Sequence, residues 1–184
     1  MFSHNFSGPV LACALGIIGN NVYANTSLSV GYSDLSAEIE VFDITLSDLS
    51  LSALMVGIAY ELDTNSERFT LVPEFKLGIG VNDDTAAVFG SDVVPADVAI
   101  KHYIVLSLRG NYALSDSVYL FAQPVYANLE IEVSNFGESD SDNQWDFGFG
   151  VGLGFSSMDN FSLELSYEEI DDSDLLTGAV RYRF

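Results

Sequence analysis

The sequence predicts an all-β protein: an eight-stranded antiparallel up-and-down transmembrane β-barrel, following an N-terminal signal peptide. Three observations predict it. Apolar and polar residues alternate with period two through almost everything after residue 24. The alternating segments number eight, an even count and the smallest for a membrane barrel. The polar face is rich in Gly, Ser and Ala with isolated charges of both signs, unlike a face built to meet water.

The bulk composition fits a single domain of that kind. Of 184 residues, 48% are apolar and the mean hydropathy is +0.26, yet the net charge is −21. No window holds eighteen uncharged apolar residues, so the apolar content is spread over short segments rather than a transmembrane helix. Six Lys and Arg against 27 Asp and Glu exclude a nucleic-acid binder, because phosphate attraction needs clustered cations. The single cysteine, Cys13, permits no internal disulfide.

Residues 1–24 contain no Asp, Glu, Lys or Arg. The run PVLACALGIIG followed by VYA reads as a signal peptide cleaved after Ala24. Only His4 stands in for the usual basic residue near its start. A buried N-terminal helix is the competing reading. A lipoprotein site at Cys13 fits less well, because ALGIIG still follows it. The barrel domain is then 25–184.

Taken in order, the strands each offer one apolar face. They are Leu28, Val30, Tyr32; then Leu54, Val56, Ile58, Tyr60, Leu62; then Phe69, Leu71, Pro73, Phe75, Leu77, Ile79, Val81. Next come Ile100, Ile104, Leu106, Leu108, Tyr112, and Tyr119, Phe121, Val125, Leu129, Ile131, Val133. The sixth strand, WDFGFGVGLGF, sets Trp145, Phe147, Phe149, Val151, Leu153 and Phe155 against four glycines. Gly at every second place ruins a helix; a strand tolerates it where the opposing space is crowded. Phe161, Leu163, Leu165, Tyr167 and then Val180, Tyr182, Phe184 complete the set. Long polar joints are expected near Ala37–Asp48, Asn82–Asp97 and Ser134–Asn143, and short ones at DTNSER, LSDS and MDN. The first joint is the hardest to bound, because weak alternation runs through AEIEVFDITLSDLSLS.

The apolar face is expected to meet lipid and the polar face to fill the lumen, where an eight-stranded barrel has room only for packed side chains. Lys76, Lys101, Arg109, Arg181 and Arg183 share the polar face with Glu61, Glu74, Glu130, Glu132, Asp146, Glu164 and Glu168. A buried charge is costly unless paired, so these twelve residues read as a lumenal ion-pair network. Tyr103 and Tyr126 are expected to pack beside them. Tyr60, Phe69, Tyr112, Tyr119, Trp145, Phe155, Phe161, Tyr167, Tyr182 and Phe184 fall near strand ends, as the aromatic girdles of membrane barrels do.

With those features the chain resembles the small outer-membrane β-barrel proteins of Gram-negative bacteria, often called porin-like. Gly178, Tyr182 and the final Phe184 look like the signal read by the outer-membrane assembly machinery. The resemblance implies an outer-membrane location with both termini periplasmic, contact with lipid and lipopolysaccharide, and a monomer. No motif selects a subfamily.

No cofactor, metal or catalytic residue is expected. Barrels of this membrane that act on lipid or peptide rely on a histidine, and His102, the one candidate in the barrel domain, shares parity with the lipid face. The acid runs NDD, ESDSDN and DDSD read as solvated surface, since they lack the Gly turn and distant Glu of a calcium loop. A structural or surface-interaction barrel is the leading reading. A narrow pore, and a secreted soluble barrel holding an apolar ligand, are the alternatives.

Overall fold

In the computed structural model, the described residues are 25–41, 44–89, 93–135, 138–158, 160–171 and 173–184, with side chains described outside 37–50, 83–98, 131–144 and 158. Residues 1–24, expected as a signal peptide ending at Ala24, lie outside them.

Nine strands run in sequence: β1 (Thr26–Val41), β2 (Ile44–Tyr60), β3 (Phe69–Gly80), β4 (Asp83–Phe89), β5 (Val93–Ala113), β6 (Val118–Asn135), β7 (Glu138–Met158), β8 (Phe161–Ile170) and β9 (Ser173–Arg183). All pairings are antiparallel, in the order β3-β2-β1-β9-β8-β7-β6-β5-β4, and β3 also pairs with β5, which closes the cylinder. Both β3 and β4 lie against β5, from Tyr103 to Tyr112 and from Val93 to Ala99 respectively. They are one stave interrupted at Val81 and Asn82, so the barrel has eight staves. The interruption coincides with a bulge in β5 between Ile100 and His102. There a Cβ on Gly80 would lie 2.3 Å from the Ile100 carbonyl oxygen.

The long polar joints are corrected. Ala37–Asp48 is mostly the β1–β2 hairpin, Asn82–Asp97 contains β4 and the start of β5, and Ser134–Asn143 belongs to β6 and β7. Their backbone groups are satisfied by cross-strand pairing, as far as Val41↔Ile44 and Asn135↔Glu138. Strands β5 and β7 reach 21 residues each, about twice the 9–11 that a tilted membrane strand needs. The excess stands at the loop end.

The apolar face points outward. Val30, Phe149, Leu165 and Val180 are all exposed, while Ser29, Gln123, Glu164 and Arg181 on the alternate positions are buried. Trp145 and Phe155 are ten residues apart on β7. That is roughly 33 Å along a strand, or about 25 Å once tilted, the height of the apolar band of such barrels. Around the turn end Phe161, Tyr182 and Phe184 interlock, with centroids 4.8 and 4.9 Å apart. Tyr126 stacks on Trp145 at 4.8 Å toward the other end.

β6 reverses the expected facing as far as its side chains are described, including Leu129, which packs against the interior cluster. Tyr119, Phe121 and Val125 point into the lumen, and Tyr126 points out. The strand is apolar on both parities, so its own pattern does not decide. Its neighbour decides. Tyr119, Phe121, Gln123 and Val125 stand directly opposite Gly154, Gly152, Gly150 and Gly148 of β7. A Cβ on Gly152 would meet the Phe121 ring at 2.1 Å, and one on Gly154 the Tyr119 ring at 2.0 Å. The glycines leave room for the rings and the rings fill it.

Candidate functional site: the lumen

Six of the twelve residues expected in the network meet in one buried layer: Glu74 and Lys76 from β3, Arg109 from β5, Glu164 and Glu168 from β8, and Arg181 from β9. Inward alternation places each of them, and the cylinder brings strands distant in sequence face to face. Glu164 is the centre. Its carboxylate accepts from Arg109 Nη1 and Nη2, both at 3.0 Å, and from Arg181 Nε at 2.8 Å and Nη2 at 3.1 Å. The Tyr119 hydroxyl adds a fifth donor at 2.6 Å. Glu74 accepts from Arg181 Nη2 at 2.6 Å and from Arg109 Nη1 at 3.4 Å. Lys76 Nζ and Gln123 Nε2 each donate to Glu168 Oε1 at 2.9 Å. Arg181 Nη1 also reaches Ser27 Oγ at 3.1 Å.

Three cations face three carboxylates, so the layer is formally neutral. Arg109 is only 2% exposed and its guanidinium lies 3.9 Å over the Phe121 ring. Charges this deep persist only when paired and hydrogen-bonded, and bidentate arginine geometry supplies both.

Four of the other six pair elsewhere or stand at the rim. Glu61 and Arg183 form a rim pair at 3.2 Å, with the Arg183 side chain half exposed. Lys101 is 46% exposed and pairs with Glu130 at 3.8 Å, because the bulge at Ile100/His102 turns it out of the lumen. His102 Nδ1 lies 3.3 Å from Glu130 Oε2, and its side chain is also partly exposed. Asp146 is half-buried on β7, opposite Ala127 of β6. The Glu132 side chain lies outside the described ones. Tyr119, Phe121, Gln123 and Ser27 belong to the site and were not expected there. The glycine series of β7 was the signal that could have found the first three.

The layer divides the lumen. Toward the turns is an open cavity of about 200 Å³, reaching Arg68, Asn111, Ser162 and Arg183 and floored by Arg109, Glu164 and Arg181. Among the side chains of the layer, bounded also by Ser29, Met55 and Phe121, is a second void of about 20 Å³, the scale of a single water. Beyond that, Leu35, Leu51, Met55, Tyr103, Val105, Val125, Ile170 and Leu175 form a buried apolar cluster. Among the described side chains the expectation of a polar lumen therefore holds for the turn half, while the start of the loop half is apolar inside. Among the described residues no group of three or more His, Cys, Asp or Glu could hold a metal ion.

A closed cylinder, apolar outside and charged within, is a membrane barrel, and the family comparison agrees. The family described as outer membrane protein beta-barrel domain matches residues 10–184. The chain belongs to that family. No curated protein matches it at a significant level. Among solved structures, this outer-membrane barrel is similar in fold to Ail, the attachment invasion locus protein of Yersinia pestis. The TM-score is 0.57 at 20% identity, over 89% of this chain and 100% of that one. Neisserial surface protein A gives 0.57 at 10% identity, over 86% and 97%. The N-terminal barrel domain of Pseudomonas aeruginosa OprF gives 0.50 at 13%, over 86% and 97%. The soluble-barrel alternative falls with the outward apolar face: an apolar-ligand carrier needs those side chains inside.

Proposed function

We propose that this outer-membrane barrel is a closed platform. Its packed lumen holds a set of acidic hairpins rigidly at the cell surface for structural or surface contact, and it neither conducts solutes nor performs catalysis. The observation that carries this reading is the Glu74–Arg109–Glu164–Arg181 layer, whose paired side chains meet across the lumen with a void of only about 20 Å³ among them. An ion entering there would have to break paired buried charges. Planar-bilayer recordings of purified protein test it: a silent membrane is expected, and steady unitary openings would establish the narrow pore instead.

Thr26 and the C-terminal Phe184 are hydrogen-bonded at the end opposite the long hairpins, which supports a periplasmic placement for that end. The Gly178, Tyr182, Phe184 signal is proposed for assembly on a specific ground. Gly178 faces outward with nothing within 4 Å of where its Cβ would stand, so the finished barrel has no packing need for glycine there. Ail has been solved with the heparin analogue sucrose octasulfate. The chain here is built against polyanions of that sort: of its six Lys and Arg, only Lys101 lies on the loop half. Partners with basic or neutral surfaces suit it better. Lipopolysaccharide contact, where it occurs, rests on the apolar band rather than on cations.

A further inference from the structure

On β8, β9, β1 and β2 the two faces of the wall exchange character at one level, whereas on β7 the outward face stays apolar through Phe149 and Phe147 to Trp145. On β1 the outward positions run Val30, Tyr32, then Asp34 and Ser36, while the inward ones run Ser29, Gly31, Ser33, then Leu35. On β8 the outward positions run Leu163, Leu165, Tyr167, then Glu169 and Asp171. The inward ones run Glu164, Ser166, Glu168, then Ile170. On β9, read toward its start, Val180 and Leu176 give way outside to Asp174, and Arg181 and Thr177 give way inside to Leu175.

The strands change together because they are neighbours in register. Leu35 pairs with Leu175, Ser36 with Asp174, and Glu169 with Asp174. On β2, Ser52 lies opposite Asp34 and donates its hydroxyl to Asp34 Oδ1 at 2.9 Å, one step past Leu54. Its backbone N–H is taken by Asn82 Oδ1, where the β3–β4 stave breaks.

We propose that the outer head-group boundary of the bilayer crosses β1, β2, β8 and β9 just beyond Tyr32, Leu54, Tyr167 and Leu176 and runs on to Trp145 on β7, and that the wall past this line is water-facing over an apolar core, sealing the lumen so that solvent reaches it from the turn end alone. An apolar outer wall suits hydrocarbon and an apolar interior suits water outside, so the exchange of faces marks the exchange of solvents. Tyrosines sit at the line on β1 and β8, and the Tyr167 hydroxyl donates to Asp174 at 2.5 Å across it. That is the amphipathic placement of an interfacial aromatic. The inference rests on the outer-membrane reading; the position of the boundary stands whether or not the barrel conducts, whereas the seal would fall with conduction.

The test uses the full chain carrying Cys13→Ser and single outward cysteines at Tyr32, Asp34, Ser36, Asp174 and Leu176, nitroxide-labelled in lipid vesicles. Collisions with oxygen should dominate at 32 and 176, and collisions with a water-soluble nickel chelate at 36 and 174, with the ratio changing severalfold and crossing over at 34. In parallel, Ser162→Cys in the turn-end cavity should react with a water-soluble maleimide within the period in which Leu175→Cys stays unlabelled. Should Leu175→Cys fail to fold, Val125→Cys serves in its place. Oxygen dominance at 36 and 174, or labelling at the core cysteine as fast as at 162, overturns the proposal.

Discussion

Glu164→Gln isolates the central contact of the lumen with the least change of shape. The amide keeps the volume and one acceptor but loses the charge that two guanidinium groups share. It also places an NH2 where one carboxylate oxygen accepts from an arginine. Arg109 and Arg181, 2% and 8% exposed, are then left with Glu74 as their remaining carboxylate partner. Removing one partner from a buried ion group costs about 3–5 kcal/mol, because an uncompensated charge stays in a low-dielectric site. Removing charge in balanced fashion is different: an apolar replacement of a whole buried pair is often neutral or stabilising. The double variant Glu164→Leu with Arg181→Met should therefore recover most of the loss, with a coupling of about 1–3 kcal/mol. Urea unfolding in lipid vesicles, followed by fluorescence of the single tryptophan Trp145 and by heat-modifiable gel migration, supplies the free energies. Lys101→Ala, at an exposed pair, serves as the control and should cost no more than about 1 kcal/mol. A Glu164→Gln barrel within about 0.5 kcal/mol of the parent would refute the view that this layer is a tightly coupled buried network.

Gly152→Ala puts a methyl into the Phe121 ring and should cost about 1–3 kcal/mol by overpacking, largely restored by adding Phe121→Leu; the same urea titration reads both. Leu165→Arg, outward in the apolar band, should cost about 2–4 kcal/mol near the bilayer middle and less toward either rim, measured in the same vesicles. Gly178→Ala should fold into detergent micelles at the parent's rate and stability. Deletion of Phe184 should lower outer-membrane levels in cells, seen by fractionation. A Gly178→Ala barrel that fails to fold in micelles would show that the glycine serves the finished structure.

Strand parity was legible wherever one face was unambiguous. The outward sets of β2, β3, β7 and β8, and inward Glu74, Lys76, Arg109, Glu164 and Arg181, follow from alternation alone. Three things were hidden, each because the deciding contact is not local. The first half of β6 is apolar on both parities, and only the glycines of β7, in register across the strand, show which side must be filled. The bulge beside Lys101 is a one-residue event, and one residue is enough to send every later side chain to the opposite face. The apolar cluster in the loop half looked like lipid-facing residue types. Leu35 lies between Asp34 and Ser36, and Leu175 follows Asp174; without the level of the membrane a polar neighbour reads as lumen rather than as water.

The placement of charge leads to a last prediction. The lumen layer is neutral, three cations against three carboxylates, so the net charge of −21 is carried entirely outside it. Of the cations outside the layer, Arg68 and Arg183 lie at the turn end and Lys101 on the loop half, so the loop-half acids have little to offset their mutual repulsion. Exposed like charges destabilise a compact state, and salt screens them: the Debye length falls from about 30 Å at 0.01 M to about 3 Å at 1 M. Buried pairs are screened far less. Raising the sodium chloride concentration across that range should therefore stabilise the folded barrel in vesicles of zwitterionic lipid, while the cost of Glu164→Gln stays the same at both ends. If salt instead weakens the parent and shrinks the Glu164→Gln penalty together, the attractive pairs are the solvent-exposed ones, and the arginines described here as buried are in contact with water.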